Sequence, residues 1–140
     1  MADTVLNYEG TTAPKALFYG SRKVITHFNV VSDSTGSTTE IFDVSDYSND
    51  AGDEAATANL NKIWYSVSVT AKVDALRLVW DADTDATFLT LEGDGFFDYS
   101  SIGGIPNNQA TNYTGNVKAV LPACTSGDSA TVTCEWILNY

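Results

Sequence analysis

The chain has 140 residues, of which 44% are hydrophobic and 11% aromatic, and it carries 18 Asp or Glu residues against seven Lys or Arg. This size and composition predict one globular domain with its own core, and they exclude an intrinsically disordered chain. The formal charge of −11 repels nucleic acids and anionic membranes, so we exclude both as partners. Such a charge favours either solubility or docking on a basic surface.

The N-terminal segment, residues 1–22, shows little strand patterning. We predict that it is either an arm that extends over a neighbouring subunit or a first strand. It lacks the basic region and the apolar run of a signal peptide, and no stretch of the chain approaches the ~20 apolar residues needed to span a bilayer. We therefore expect folding in a cytoplasm, with residues 23–140 forming a single β-sandwich domain.

From residue 23 onward, apolar and polar residues alternate. In 63–70, for example, Ile63 and Val67 share one face, whereas Trp64 shares the other face with serines. This period of two is typical of half-buried antiparallel strands. The predicted strands are 23–31, 38–44, 63–70, 75–80, 87–92, 96–100, 116–121 and 130–138. About eight strands predict an all-β fold, an antiparallel β-sandwich of jelly-roll type.

The segments between these strands are rich in turn-forming residues. Residues 32–37 and 93–95 are predicted to be short links, the first of them a hairpin loop. Helical composition is confined to 50–62, which would form one or two turns at most.

The two cysteines, Cys124 and Cys134, flank a turn near Gly127. A tight hairpin there would place Leu121 opposite Cys134, so the two cysteines are not natural cross-strand partners. In a reducing cytoplasm we expect both thiols to be free, and a disulfide is the alternative.

An acidic run at 81–92 has nearly the ligand spacing of an EF-hand calcium loop, with Asp81, Asp83 and Asp85 at alternate positions and Glu92 in twelfth place. The sixth position is Ala86 rather than the required glycine, and both flanks alternate as strands. We therefore predict a hairpin loop and no dedicated metal site. The alternative is that the three aspartates bind calcium weakly with help from backbone carbonyls.

No catalytic constellation is visible. The only histidine, His27, lies within a predicted strand, and no second histidine or cysteine motif is available for a zinc site or a Ser/His/Asp triad. Nothing fixes the separation of the carboxylates in 43–54, as a glycosidase would require. We predict a non-enzymatic protein without a cofactor.

The three tryptophans have different environments. Trp80 and Trp136 alternate with apolar residues and are predicted to lie in the core. Trp64 is either exposed or buried at a subunit interface, and packing inside the sandwich is the alternative. A sugar-binding platform needs two or three aromatics in a row, and only one is visible on this face. We therefore predict an interface, formed by Trp64 with Tyr8 and Tyr19 of the N-terminal segment.

Three short motifs lie in the C-terminal part of the chain. They are LVWDA at Leu78–Ala82, LEGDGFFDY at Leu91–Tyr99 and GGIPN at Gly103–Asn107. With the closing strand after GDSATVTCEWIL, they make about the last 80 residues resemble small virion structural proteins of tailed bacteriophages, particularly those of phages infecting marine bacteria and cyanobacteria. The resemblance implies a protein of the phage particle and carries over no catalytic residues.

This resemblance favours a capsid decoration (cement) protein, which would be assembled in the host cytoplasm and end on the capsid surface of the virion. Its partner would be the major capsid protein. Self-association into a homo-oligomer would add avidity, and a trimer would suit the three-fold points of an icosahedral shell. The alternatives are a carbohydrate- or receptor-binding module of a tail or fibre and, less favoured, a calcium-dependent adhesion module.

Overall fold

In a computed structural model, the described residues 4–7, 16–20, 22–48, 51–71, 75–107 and 112–140 form ten strands. The strands are β1 (Thr4–Asn7), β2 (Ala16–Tyr19), β3 (Lys23–Val31), β4 (Ser37–Phe42), β5 (Thr57–Ser68), β6 (Leu76–Trp80), β7 (Ala86–Leu91), β8 (Gly93–Asp98), β9 (Val117–Leu121) and β10 (Ser129–Asn139).

The strands form two antiparallel sheets. The six-stranded sheet has the order β3-β10-β5-β8, with β1 and β2 both paired to the remaining edge of β3, and the four-stranded sheet has the order β4-β9-β6-β7. The core lies between the sheets, where apolar burial supplies the main stabilisation. Its largest fully buried side chains include Trp136, Phe42, Leu60, Ile63 and Leu78. The prediction of an all-β antiparallel sandwich is confirmed.

The helix predicted within 50–62 is wrong, because β5 already begins at Thr57. Leu60 and Ile63 are both fully buried although they are three residues apart. The pairing with β10 explains this, since its register shifts so that Asn61 is an extra residue on β5. Such a bulge interrupts the period of two. The first part of the strand, before Asn61, was therefore not recognised from the sequence pattern. Among the described residues, the helical turns are two 3-10 segments, Val44–Asp46 and Ser100–Ile102.

Six links between consecutive strands cross from one sheet to the other. Three of these crossings lie at or beside segments where the sequence predicts short links or a turn. They join β3 to β4, β7 to β8 and β9 to β10, and the two strands of each pair lie in different sheets. The predicted hairpin at 32–37 is therefore wrong. At the crossing from β7 to β8, Gly93 adopts a φ of 73°, a conformation that favours glycine. The hairpin loop predicted at 81–86 is confirmed, since β6 pairs with β7, although β7 already begins at Ala86.

Cys124 and Cys134 are both buried and are not joined in a disulfide, as expected. Cys124 Sγ donates a hydrogen bond to Ser32 Oγ at 3.2 Å. The argument that Cys124 and Cys134 are not cross-strand partners assumed a tight hairpin near Gly127. That hairpin does not form, because β9 and β10 lie in different sheets. Burial raises the pKa of the Cys134 thiol well above its usual range, so the reactive thiolate form is disfavoured.

The described parts of the N-terminal segment are strands of the six-stranded sheet. Thr4–Asn7 pairs with the last part of β3, and Ala16–Tyr19 pairs with its first part. Tyr8 lies outside the described residues. None of the helical segments in the described ranges has the length and apolar character to cross a membrane.

Candidate docking surface

The outer face of the six-stranded sheet, which points away from the core, presents three aligned rows of side chains. Each row takes one residue from β3, β10, β5 and β8 in turn, because the registers of these strands coincide. We call them the polar row (Asn29, Thr131, Ser66, Asp94), the aromatic row (His27, Thr133, Trp64, Phe96) and the charged row (Ile25, Glu135, Lys62, Asp98).

The centre of this face is an exposed aromatic pair. Trp64 and Phe96 lie opposite each other on β5 and β8, and their ring centroids are 5.2 Å apart with 27° between the planes. Their exposed fractions are 41% and 49%, so the alternative that Trp64 packs inside the sandwich is wrong. The statement that only one aromatic lies on this face is also wrong, because strand pairing brings Phe96 beside Trp64.

The polar row is held in place by hydrogen bonds between neighbouring strands. Ser66 Oγ donates to Asp94 Oδ1 at 2.6 Å, and Thr131 Oγ1 donates to Asn29 Oδ1 at 2.8 Å. These bonds fix four short side chains in one arrangement before any partner arrives. A surface ordered in this way loses less conformational entropy on binding.

His27 belongs to the aromatic row and is half-buried. Its Nδ1 lies 2.7 Å from Thr133 Oγ1. This contact joins His27 to the neighbouring strand β10.

The charged row contains a carboxylate with little solvent contact. Glu135 is only 7% exposed, and its Oε2 accepts a hydrogen bond from Asn61 Nδ2 at 2.7 Å. Its Oε1 lies 3.5 Å from Lys23 Nζ. The bulge residue Asn61 therefore helps to compensate a buried charge that would otherwise be costly.

The free edge of the sheet extends the apolar surface. β8 is the last strand of the six-stranded sheet. Phe97 on its inner side is partly exposed and lies 5.6 Å from the Tyr65 ring and 5.9 Å from the Tyr99 ring. Ile102, in the turn that follows, is 73% exposed. Aromatic and aliphatic groups thus continue from Trp64 around the edge.

Tyr19 does not join this surface. Its hydroxyl donates to Ser48 O at 2.9 Å and accepts from Ser48 N at 2.7 Å, and its ring lies 5.0 Å from that of Tyr47. It therefore attaches β2 to the loop after β4. β3 and β10 separate β2 from the strand that carries Trp64, so the two predicted interface residues are not brought together.

The charge of the acidic hairpin at 81–85 is partly compensated from within the chain. Lys118 Nζ lies 3.0 Å from Asp81 Oδ1 and 3.2 Å from Asp85 Oδ2, and Asp83 Oδ2 accepts from Asn112 Nδ2 at 2.6 Å. Burial alone would raise the pKa of Asp81, but hydrogen bonds from Lys118 and Thr114 outweigh it and lower the pKa. Within the described ranges, no three His, Cys, Asp or Glu side chains are grouped to hold a metal ion.

We expect calcium at about 1 mM, the range of weak extracellular sites, to leave the melting temperature unchanged. The Lys118 ammonium already occupies the space between the Asp81 and Asp85 carboxylates. Differential scanning fluorimetry with and without calcium tests this, with magnesium as the control. A rise in melting temperature that calcium causes and magnesium does not, and that disappears in Asp83→Ala, would show that the hairpin binds calcium.

The same contacts predict a pH dependence. Because the pKa of Asp81 is lowered in the folded state, its contribution to stability is complete above the unfolded pKa and is lost as the pH falls through the folded value. Lys118→Met should remove this contribution. At neutral pH the variant should therefore have a lower free energy of unfolding than the wild type. At acid pH the two free energies of unfolding should converge.

The chain matches no known protein-family model, no curated protein and no solved structure.

Proposed function

We propose that this chain is a non-enzymatic structural protein of a tailed-phage particle, a decoration protein that docks on the major-capsid lattice through the outer face of the six-stranded sheet. The observation that carries the proposal is the exposed pair of Trp64 and Phe96 at the centre of that face. The resemblance of motifs such as Leu91–Tyr99 to those of phage virion proteins supports the assignment to a phage particle.

The outer face has the composition of a protein interface. Tryptophan and other aromatics are enriched in the centres of interfaces, and they contribute most of the binding energy when a rim excludes water. Here the polar row and the charged row flank Trp64 and Phe96 on either side. Phe97 and Ile102 widen the apolar area at the edge, and exposed apolar patches of this kind often mark binding sites.

The net negative charge of the protein also fits docking on a capsid surface that is basic. With a formal charge of −11, the protein is attracted to a basic surface, and complementary charge mainly raises the association rate and the specificity. Salt screens such attraction over about 8–10 Å at ordinary ionic strength. Docking should therefore slow as salt is added, while the buried aromatic contact persists.

Self-association is part of the proposal. Linked copies bind a repetitive lattice together, and the second contact gains from a high effective concentration. A closed homo-oligomer, with a trimer suited to three-fold points of the shell, fits this requirement.

Co-sedimentation with empty capsids assembled without this protein tests the proposal. We expect saturable binding with a fixed number of copies per capsid, and weaker binding as salt increases. Capsids that bind none of the protein at low salt would refute the proposed function.

The second candidate is a carbohydrate- or receptor-binding module of a tail or fibre. It is favoured by one feature that the sequence did not reveal, namely two aromatics, Trp64 and Phe96, beside a groove lined with hydroxyl groups. A glycan array distinguishes the two functions. Sugar binding that requires Trp64, in a protein that does not bind capsids, would establish this second function instead.

A further inference from the structure

A shallow groove of about 330 Å³ lies on the outer face beside Trp64. Ser66, Thr131 and Thr133 line it together with Asp94 and Gly95, and Tyr65 completes the lining. The groove therefore combines an aromatic ring, a carboxylate and a row of hydroxyl groups. Its volume is at the lower limit for small-ligand sites, so it fits a single side chain better than a large molecule.

Three groups that line the groove, the hydroxyls of Ser66 and Thr131 and the carboxylate of Asp94, act only as acceptors toward a ligand, whereas the Trp64 indole N–H is a donor. The Ser66 hydroxyl proton is already donated to Asp94, and the Thr131 proton is donated to Asn29. A hydroxyl keeps acceptor lone pairs after its proton is used, and a carboxylate has only acceptors. Thr133 shares one hydrogen bond with His27. A ligand that binds the oxygens of Ser66, Thr131 and Asp94 must consequently bring donors.

The carboxylate of Asp94 carries a negative charge, and Asp94 takes part in none of the ion pairs between described residues. In the part of the chain that the structure describes, the ion pairs join Lys23 to Glu135 and Lys118 to two aspartates, Asp81 and Asp85. Asp94 is exposed and accepts the Ser66 hydroxyl. A cationic ligand would therefore gain a charge-assisted hydrogen bond here.

We propose that this groove binds the guanidinium group of an arginine side chain presented by the protein partner. Guanidinium is planar, carries five donors and no acceptor, and stacks on aromatic faces. Its plane would lie against Trp64 while its N–H groups bond to Asp94 and the hydroxyl oxygens of Ser66 and Thr131. The identity of the partner rests on the proposed function, but the ligand class rests on the groove alone.

Two other ligands match the groove less well. A lysine ammonium also brings donors and charge, but it is a compact, strongly hydrated ion that cannot form the same planar contact with Trp64. A saccharide has hydroxyl groups that accept as well as donate, and it is neutral, so it gains no charge-assisted bond to Asp94 and finds few donors beyond the Trp64 indole N–H. The donor protons of Ser66 and Thr131 are already used.

The test uses the whole protein at low ionic strength and three capped tripeptides, Gly-Arg-Gly, Gly-Lys-Gly and Gly-citrulline-Gly. Citrulline keeps the shape of arginine without its charge. Two-dimensional NMR follows the indole N–H of Trp64, which is identified by its loss in Trp64→Phe, while the buried indoles of Trp80 and Trp136 serve as internal references.

We expect the arginine peptide to shift the Trp64 indole and the Gly95 amide in a saturable manner. The citrulline peptide should bind at least about tenfold more weakly, because it lacks the charge-assisted bond. Asp94→Asn should weaken arginine binding about tenfold as well. The matched control is Asp98→Asn, which makes the same charge change on the same strand in the charged row and should alter binding less than about twofold, as expected for a distant exposed charge.

Equal binding of arginine and citrulline would overturn the inference, and so would equal losses in Asp94→Asn and Asp98→Asn. Shifts caused by simple sugars but not by the arginine peptide would assign the groove to carbohydrate instead. The groove assignment and the proposed function are refuted by different results. Capsid binding without an arginine response refutes only the groove assignment, whereas an arginine response without capsid binding refutes only the capsid partner.

Discussion

Replacing Trp136 by alanine is expected to lower the free energy of unfolding by about 3–5 kcal/mol, the range for deleting a buried large aromatic side chain. Trp136 is fully buried between the sheets. Its ring centroid lies 4.9 Å from that of Phe42 and 6.4 Å from that of Trp80, so it connects β10 to both β4 and β6 across the core. Removal leaves a cavity among these rings.

The substitution also breaks a buried hydrogen bond. Trp136 Nε1 donates to Thr26 Oγ1 at 2.9 Å, and an unsatisfied buried hydroxyl costs ~1–3 kcal/mol. Since small domains have total stabilities of about 5–15 kcal/mol, the variant should be partly unfolded at room temperature or melt far earlier. Urea denaturation followed by circular dichroism measures this. A loss below about 1 kcal/mol would mean that the two sheets do not pack around Trp136.

Trp136→Phe separates the two contributions. Phenylalanine retains much of the apolar contact with Phe42 and Trp80 but has no donor for Thr26. We therefore expect a smaller loss than for alanine, and one that Thr26→Val combined with Trp136→Phe partly recovers, because the orphaned hydroxyl is then absent.

Replacing Trp64 by alanine should weaken capsid binding at least about 30-fold, which corresponds to the ~2 kcal/mol of an interface hot spot. The free energy of unfolding should change by no more than about 1 kcal/mol, because Trp64 is partly exposed and the aromatic pair with Phe96 contributes only ~0.5–1.5 kcal/mol. This variant therefore contrasts with Trp136→Ala, in which stability itself is lost. Co-sedimentation and urea denaturation are measured on the same preparation.

The matched control is Tyr113→Ala. Tyr113 is 43% exposed, close to the 41% of Trp64, but it lies in the loop before β9 and not on the six-stranded sheet. We expect this variant to bind capsids as the wild type does. Undiminished binding by a folded Trp64→Ala protein, or equal losses in both variants, would show that the outer face is not the docking surface.

Alternation along the chain predicted eight of the ten described strands, all of them except β1 and β2. β3 was predicted with its observed bounds, and Trp80 and Trp136 lie in the core as expected, because period two is a local property of a half-buried strand. The same signal failed at Thr57–Asn61. The bulge at Asn61 reverses the faces there, and its cause is the pairing with β10, more than 70 residues away in the chain.

Partners between strands were not predictable from local patterns. A strand that crosses to the other sheet alternates like one that closes a hairpin, so the links after β3, β7 and β9 were not recognised as crossings. The pairing of Trp64 with Phe96 depends on one such crossing, since β7 and β8 belong to different sheets. Lys118 likewise reaches Asp81 and Asp85 only because β9 pairs with β6. The exposed position of Trp64 was therefore among the alternatives that the sequence pattern left open, but its pairing with Phe96 was not foreseen.

Cryo-electron microscopy of empty capsids saturated with this protein tests the proposed orientation most directly. We expect the outer face of the six-stranded sheet to lie against the major capsid protein, with Trp64 and Phe96 excluded from solvent at the centre of the contact. A map in which the four-stranded sheet contacts the shell, while Trp64 points into solvent, would contradict docking through this face.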